Sequence, residues 1–164
     1  MNSILEEDIK NIADSKLVNW EEFNNKSILI TGATGLICSI MIKAFCKKKL
    51  NLKMYLLVRN KENAKQMYGE NENIEYIESS IEDIKVDYII HAASPTKSKF
   101  FVEKPVETLN TAVLGTKNIL EFAKNIGIKS MVYLSSMEMY GTMNDENVTE
   151  EKLGYINTLN VRSS

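Results

Sequence analysis

The chain has 164 residues, of which 44% are hydrophobic and 26% charged, a length and balance suited to one domain with a real core. Its formal charge is −2, with lysines and acids interspersed, so neither a basic nucleic-acid-binding block nor an acidic solvating tail stands out. No apolar stretch reaches the roughly 18 residues of a membrane span, no basic-then-apolar leader opens the chain, and Cys38 and Cys46 make no metal-ligand pattern, so no metal is expected. The expectation is a cytoplasmic protein with reduced thiols and with neither membrane nor nucleic acid among its partners.

Over residues 3–23, Ile4, Leu5, Ile9, Ile12, Leu17, Trp20 and Phe23 recur at roughly helical spacing among acids and lysines. This predicts one or two amphipathic helices packed on the domain's side, making residues 1–25 an N-terminal helical extension of a domain over 26–164. The apolar run 27–31 then reads as a strand, Gly32-Ala33-Thr34-Gly35 as a turn, and 36–48 as a helix whose terminal lysines complement its negative end. A second strand is expected over 53–58, followed by a polar helix to about Tyr68, and further strands over 74–78 and 86–91. Pro105 suits the first turn of a long helix that carries Val106, Leu109, Val113, Ile119, Leu120 and Ala123 and stops at Gly127. A fifth strand over 129–134 runs into Ser135 and Ser136.

Strands that alternate with helices and read as continuous apolar runs indicate an α/β fold, a doubly wound parallel sheet with helices on both faces. Ligands of such sheets bind beyond the strands' C-terminal ends, where the strand order switches. Residues 32–37, Arg59, Ser80, Ile81, 91–96 and 134–136 are therefore expected to converge on one crevice. Glycine lets a backbone turn tightly and approach a pyrophosphate, and the helix that follows offers free N–H groups and a positive dipole end. The turn at 32–35, with a strand before it and a helix after it at the start of the series, therefore points to a nucleotide cofactor; the plainer alternative is a strand-to-helix turn with no ligand.

Four segments now stand in order: TGATGLI at 31–37, HAASP at 91–95, GTKNILEFAK at 115–124 and YLSSMEMYG at 133–141. Over about residues 26–141 this pattern resembles the extended short-chain dehydrogenase/reductase family, whose members include sugar-nucleotide epimerases, 4,6-dehydratases and decarboxylases. The resemblance implies a Rossmann-type fold in which Gly32, Thr34, Gly35, Leu36 and Ile37 hold the cofactor's pyrophosphate. Cys38 stands where the pattern has a third glycine, one that serves packing. At the end of the second strand, NAD-preferring relatives place an acid on the ribose hydroxyls. None is found there, and Arg59 could instead meet a 2′-phosphate, so NADP is favoured with NAD possible; a solvated arginine is the alternative. Ser80 replaces the family's adenine-side aspartate, with Ile81 next to it, and Ala92, Ala93 and Ser94 would let the cofactor lie against backbone. His91 matches a structural strand-end residue rather than a catalyst, and Ala112 replaces an asparagine that often organises the active site.

Ser136 matches the family's catalytic Ser/Thr, which hydrogen-bonds the sugar oxygen that becomes a carbonyl. Glu138 matches the glutamate of dehydratases and some decarboxylases, while Met137 takes a position where glucose dehydratases carry an acid. The family's chemistry also needs a Tyr-x-x-x-Lys pair, but Tyr155 is followed four residues later by Leu159, and Lys152 is the last lysine. Residues 161–164 read as the approach to the helix that would carry the pair. The expectation is an N-terminal part, truncated and catalytically incomplete, of a sugar-nucleotide-modifying enzyme, with 4,6-dehydratase or decarboxylase favoured over epimerase. The full-length protein would act on a sugar nucleotide, and a homodimer is possible for it. The alternatives are a non-catalytic dinucleotide-binding sensor module of the same fold and an interaction protein that docks through residues 1–25.

Overall fold

The computed structural model describes residues 3–96, 98–143, 147–156 and 158–159. The expected approach to a catalytic helix at 161–164 lies outside the described residues. Five strands, β1 (Lys26–Thr31), β2 (Leu52–Leu57), β3 (Ile74–Ile77), β4 (Tyr88–His91) and β5 (Ser130–Tyr133), form one sheet in the order β3-β2-β1-β4-β5. Every pair is parallel, and Thr31 is level with Leu57 on one side and His91 on the other, while His91 is level with Tyr133. The chain builds outward from β1 to β3, then returns to the far side of β1. The strand order therefore switches between β1 and β4, the place where Rossmann-type sheets open a crevice.

Successive residues of a strand face opposite sides of the sheet. Ile28 and Ile30 enter a core shared with α2 (Leu36–Lys48) and α3 (Lys61–Tyr68), through Ile42, Phe45 and Ala64. Leu29 faces the other way, toward Ile89 and the side chains of Ile119, Phe122 and Ala123 on α6 (Thr116–Ile126). The α6 side is the thinner of the two cores, and β5 is an edge strand with Val132 and Tyr133 half exposed.

The N-terminal extension folds as α1 (Ser3–Ala13) and a short 3-10 turn (Trp20–Phe23). Ile9 and Ala13 pack on Ala44 of α2, and the Trp20 and Phe23 rings meet Phe45 at 5.7 and 5.3 Å. The Trp20 indole N–H donates to the Ser15 carbonyl at 3.0 Å, while Leu17 points into solvent. The helical spacing read across 3–23 therefore breaks after Ala13, where the chain must turn to bring Trp20 to the core.

The long helix expected from Pro105 to Gly127 is interrupted. A short α4 (Ser98–Glu103) precedes α5 (Pro105–Leu109), and a π-helical turn (Asn110–Gly115) separates α5 from α6. The Thr108 and Thr111 hydroxyls each donate to the carbonyl four residues back, at 2.8 Å, competing with the main-chain ladder just where it widens. None of the described helices is long and apolar enough to cross a membrane.

Replacing Trp20 by alanine is expected to cost about 3–5 kcal/mol in urea unfolding, as for other buried aromatic truncations. Leu17→Ala, at a 98% exposed position, should stay within about 0.5 kcal/mol. Equal costs would mean that the extension is not part of the core.

Candidate functional site

Thr31 ends β1, and Gly32 follows at φ +70°. A Cβ on Gly32 would lie 2.7 Å from the Ala92 carbonyl carbon and oxygen and 2.9 Å from the Ala93 nitrogen. The turn thus crosses the end of β4 in direct backbone contact, and only glycine satisfies both the dihedral and the space. It closes with the Gly35 N–H donating to the Gly32 carbonyl at 2.9 Å. The Tyr68 hydroxyl of α3 donates to the Ala33 carbonyl at 2.5 Å, and burial pushes that phenol far above its usual range, which keeps it a donor. Buried Cys38 points its thiol at the Thr31 carbonyl, 3.9 Å away. The position thus accepts a small sulfhydryl in place of the expected glycine.

Gly35 caps α2 without any side-chain hydrogen bond, leaving the helix's first N–H groups with no side-chain partner. Leu36 and Ile37, next to it, are 79% and 64% exposed, and Thr34 is exposed as well. An uncapped helix start beside a close-packed glycine turn is an arrangement that fits a pyrophosphate.

The turn is tied to β4 by a buried polar chain. Thr31 Oγ1 accepts from the Ala92 N–H at 3.2 Å and the Ala93 N–H at 3.1 Å. Its own proton is then the one in the 2.6 Å contact with His91 Nδ1. With Nδ1 accepting, the imidazole carries its hydrogen on Nε2 and donates to Thr116 Oγ1 at 3.1 Å. The ring stacks on Tyr133 at 5.6 Å, and burial pushes its pKa below the usual value. His91 is thus a neutral bracket between β1, β4, β5 and α6.

Beside this bracket lies a cleft of about 680 Å³ lined by Ser80, Ile81, Ala93, Gly115 and Asn118, with Thr31 and His91 at its base. Ser80 Oγ accepts from the Glu82 N–H at 3.2 Å, holding the turn after β3. Ala92 and Ala93 lie under the glycine turn; Ser94 is exposed beyond them. The Leu134 N–H donates to the His91 carbonyl at 2.9 Å, carrying the β4–β5 pairing forward so that Ser135 and Ser136 follow at the same end of the sheet. Ser136 Oγ accepts from the Glu138 N–H at 3.2 Å and caps a 3-10 turn (Met137–Tyr140), with its own O–H still able to donate outward. Glu138 is half buried in that turn, Met137 is 81% exposed, and Ala112 lies in the π turn. Tyr155 is not helical; it forms an antiparallel bridge with Thr142.

Arg59 is exposed just past β2 and, among the described residues, makes no ion pair. The carboxylate that the sequence lacks at the end of β2 is supplied from the next strand, because Glu78 Oε1 accepts from the Lys61 N–H at 2.8 Å at the start of α3. The roles of Glu78, Thr31, Tyr68 and Thr116 are not legible in the sequence. Only strand order places Glu78 beside β2, and the other three are common residue types at ordinary strand and helix positions. The Gly115-Thr116 pair of the third motif is the one local cue.

Fold and site together define a dinucleotide-type α/β domain, and comparison with known proteins makes the class specific. The NAD dependent epimerase/dehydratase family matches residues 28–163, and the chain belongs to that family. It is 31% identical over 146 residues to UDP-glucuronic acid decarboxylase 6 of Arabidopsis thaliana, covering 85% of this chain and 42% of that protein. It is 29% identical to dTDP-D-glucose 4,6-dehydratase of Dictyostelium discoideum, covering 76% of this chain and 32% of that one. Among solved structures it resembles UDP-N-acetylglucosamine 4-epimerase of Methanobrevibacter ruminantium, with a TM-score of 0.68, 20% identity, and coverage of 79% and 44% of the two chains. It also resembles UDP-glucose 4-epimerase of Bifidobacterium longum, solved with NAD+ and UDP, with a TM-score of 0.65, 21% identity and coverage of 84% and 45%. These two share the fold with it. The chain spans less than half the length of these relatives.

Gly32→Ala should destabilise the protein clearly more than Gly127→Ala. Both glycines have positive φ, but Gly127 is left-handed, and an alanine there would meet nothing within 4 Å and should cost only the roughly 1–2 kcal/mol of a left-handed residue. Equal losses would show that the contact with Ala92 is not tight.

His91 is the only histidine, and folding lowers its pKa from 6.5, so the unfolded chain binds the extra proton first. Stability contributed by the neutral ring should be whole above pH 6.5 and fall as the pH drops below it. Urea midpoints between pH 7 and 5 check this: the slope should flatten in His91→Gln, and a wild-type midpoint that does not move would contradict the bracket.

Proposed function

We propose that this chain is the cofactor-binding part of an NAD(P)-dependent sugar-nucleotide-modifying enzyme, a 4,6-dehydratase or decarboxylase rather than an epimerase. Residues 26–164 would be the dinucleotide-binding domain and 1–25 an extension clasped to its α2 side. The observation that carries this reading is the turn at 32–35 pressed on Ala92 and Ala93 at the switch point, followed by an α2 whose start has no side-chain cap and is exposed at Leu36 and Ile37. Gly32, Thr34, Gly35, Leu36 and Ile37 would hold the pyrophosphate. Ser80 and Ile81, in the cleft, would border the adenine, and Ala92, Ala93 and Ser94 would border the rest of the dinucleotide. When bound, the nicotinamide supplies reversible hydride acceptance.

Ser136 would donate its hydroxyl proton to a sugar oxygen. The Glu138 N–H on Ser136 Oγ fixes the oxygen's position and leaves the hydroxyl's proton available for donation. Glu138 would take a proton from the sugar. Its presence, with a UDP-glucuronic acid decarboxylase and a dTDP-D-glucose 4,6-dehydratase among the relatives, favours those two reaction classes. No Tyr-x-x-x-Lys pair occurs in the 164 residues, so the general base and its partner would have to come from elsewhere. A non-catalytic dinucleotide sensor is the second reading, favoured by Ala112 in the π turn, where the family usually places an asparagine.

Calorimetric titration with NAD and NADP should show weak binding that Gly35→Trp reduces by about tenfold or more, about 1.4 kcal/mol. Equal binding by the variant would remove the assignment. The 164-residue chain alone should turn over no UDP-, GDP- or dTDP-sugar. Loss of an acid–base partner alone typically costs about 10²–10⁴-fold, and measurable oxidation of any of these sugars would refute the point.

A further inference from the structure

We propose that Glu78 is a specificity-determining residue of this site and turns it toward NAD and away from NADP. The proposal rests on the dinucleotide reading above, which brings the adenosine ribose past the C-terminal end of β2.

Glu78 follows β3, yet it acts at the end of β2. The two strands are parallel, with Leu57 level with Ile77, and the Val58 N–H donates to the Ile77 carbonyl at 2.8 Å. Glu78 therefore leaves the sheet at the height of Val58 and Arg59. Its Oε1 reaches across to the Lys61 N–H at 2.8 Å, at the first turn of α3. A fixed carboxylate at this level occupies the ground where an acid at the tip of β2 would otherwise stand. Oε2 is then the oxygen left for a ribose hydroxyl, a charge-assisted bond that NAD can donate.

The same geometry disfavours a 2′-phosphate. Arg59 reads in the sequence as a residue that could meet a 2′-phosphate, but two backbone donors of the helix start beside it are committed. The Lys61 N–H is held by Glu78, and the Asn63 N–H by Asn60 Oδ1 at 2.7 Å. A phosphate arriving here would meet a carboxylate of like charge and a helix start already satisfied at two positions. Arg59 would oppose that repulsion from an exposed position where salt screens it.

The test titrates the 164-residue chain with NAD and with NADP, as wild type, Glu78→Gln and Arg59→Ala. Glutamine keeps an oxygen for the Lys61 N–H and removes only the charge; circular dichroism and a Glu78→Ala variant confirm that any change is not a folding defect. Wild type should prefer NAD by about tenfold, about 1.4 kcal/mol, and Glu78→Gln should erase or invert that preference chiefly by tightening NADP. Arg59→Ala should leave the preference for NAD in place. If both dinucleotides bind and Glu78→Gln leaves their ratio unchanged, Glu78 is not the selector, while the dinucleotide reading stands. A wild-type preference for NADP that Arg59→Ala abolishes would also overturn the proposal. If neither dinucleotide binds to wild type, the dinucleotide reading falls and takes this proposal with it.

Discussion

Everything at the C-terminal end of this sheet depends on one contact, the backbone of Gly32 lying on the backbone of Ala92 and Ala93. With no side chain between them, β1 can hand its chain to α2 directly over the end of β4. The direction of α2 follows, and with it the position of the uncapped N–H groups that make the end of the sheet attractive to an anion. The Thr31 hydroxyl reinforces the contact by accepting from the two N–H groups of the same segment. The steric fit and the hydrogen bonds thus fix the same two strands, and Tyr68 holds the far side of the turn through Ala33.

His91 extends this fixed point outward. Its neutral ring spends one nitrogen on Thr31 and the other on Thr116, and its face lies on Tyr133. A protonated ring would need an acceptor at Thr31 Oγ1, which is already accepting twice, so the bracket itself favours the neutral form that burial also favours. No buried side-chain nitrogen or oxygen among the described residues lacks a partner, which is what a rigid polar bracket inside a low-dielectric core requires. Thr116 also explains why the long helix tolerates a π turn. The wider turn ends at Gly115, and α6 begins with the hydroxyl that His91 needs.

The two faces of the sheet are unequal, and the inequality shapes the cleft. On one face α2, α3 and the N-terminal extension build a deep core, with Trp20, Phe23 and Phe45 as its aromatic corner. On the other, α6 stands with little beside it, and the short segment between β3 and β4 leaves the cleft open from Ser80 to Asn118. At the end of β2, where the sequence carries Arg59 and no acid, Glu78 brings a carboxylate from the end of β3 to the start of α3.

The amino-acid pattern determined a good deal on its own. The apolar runs, the glycine turn, Pro105 and Gly127 specify five parallel strands with helices in every crossing but the one from β3 to β4, because strand and helix periodicity and turn chemistry are local properties of the chain. The four motifs specify the family for the same reason: each is a short stretch whose residues act together. Residues 36–48 form one helix as expected, whereas the one or two helices expected over 3–23 are α1 and a short 3-10 turn, and the helix from Pro105 contains a π turn. In those two places distant partners, Phe45 for Trp20 and His91 for Thr116, overrule local spacing. Only the tertiary structure could show the tautomer of His91 and the position of Glu78. Each depends on which strands are neighbours and where they end, and hydrogen bonds between β2 and β3 or β4 and β5 join residues that the sequence keeps apart.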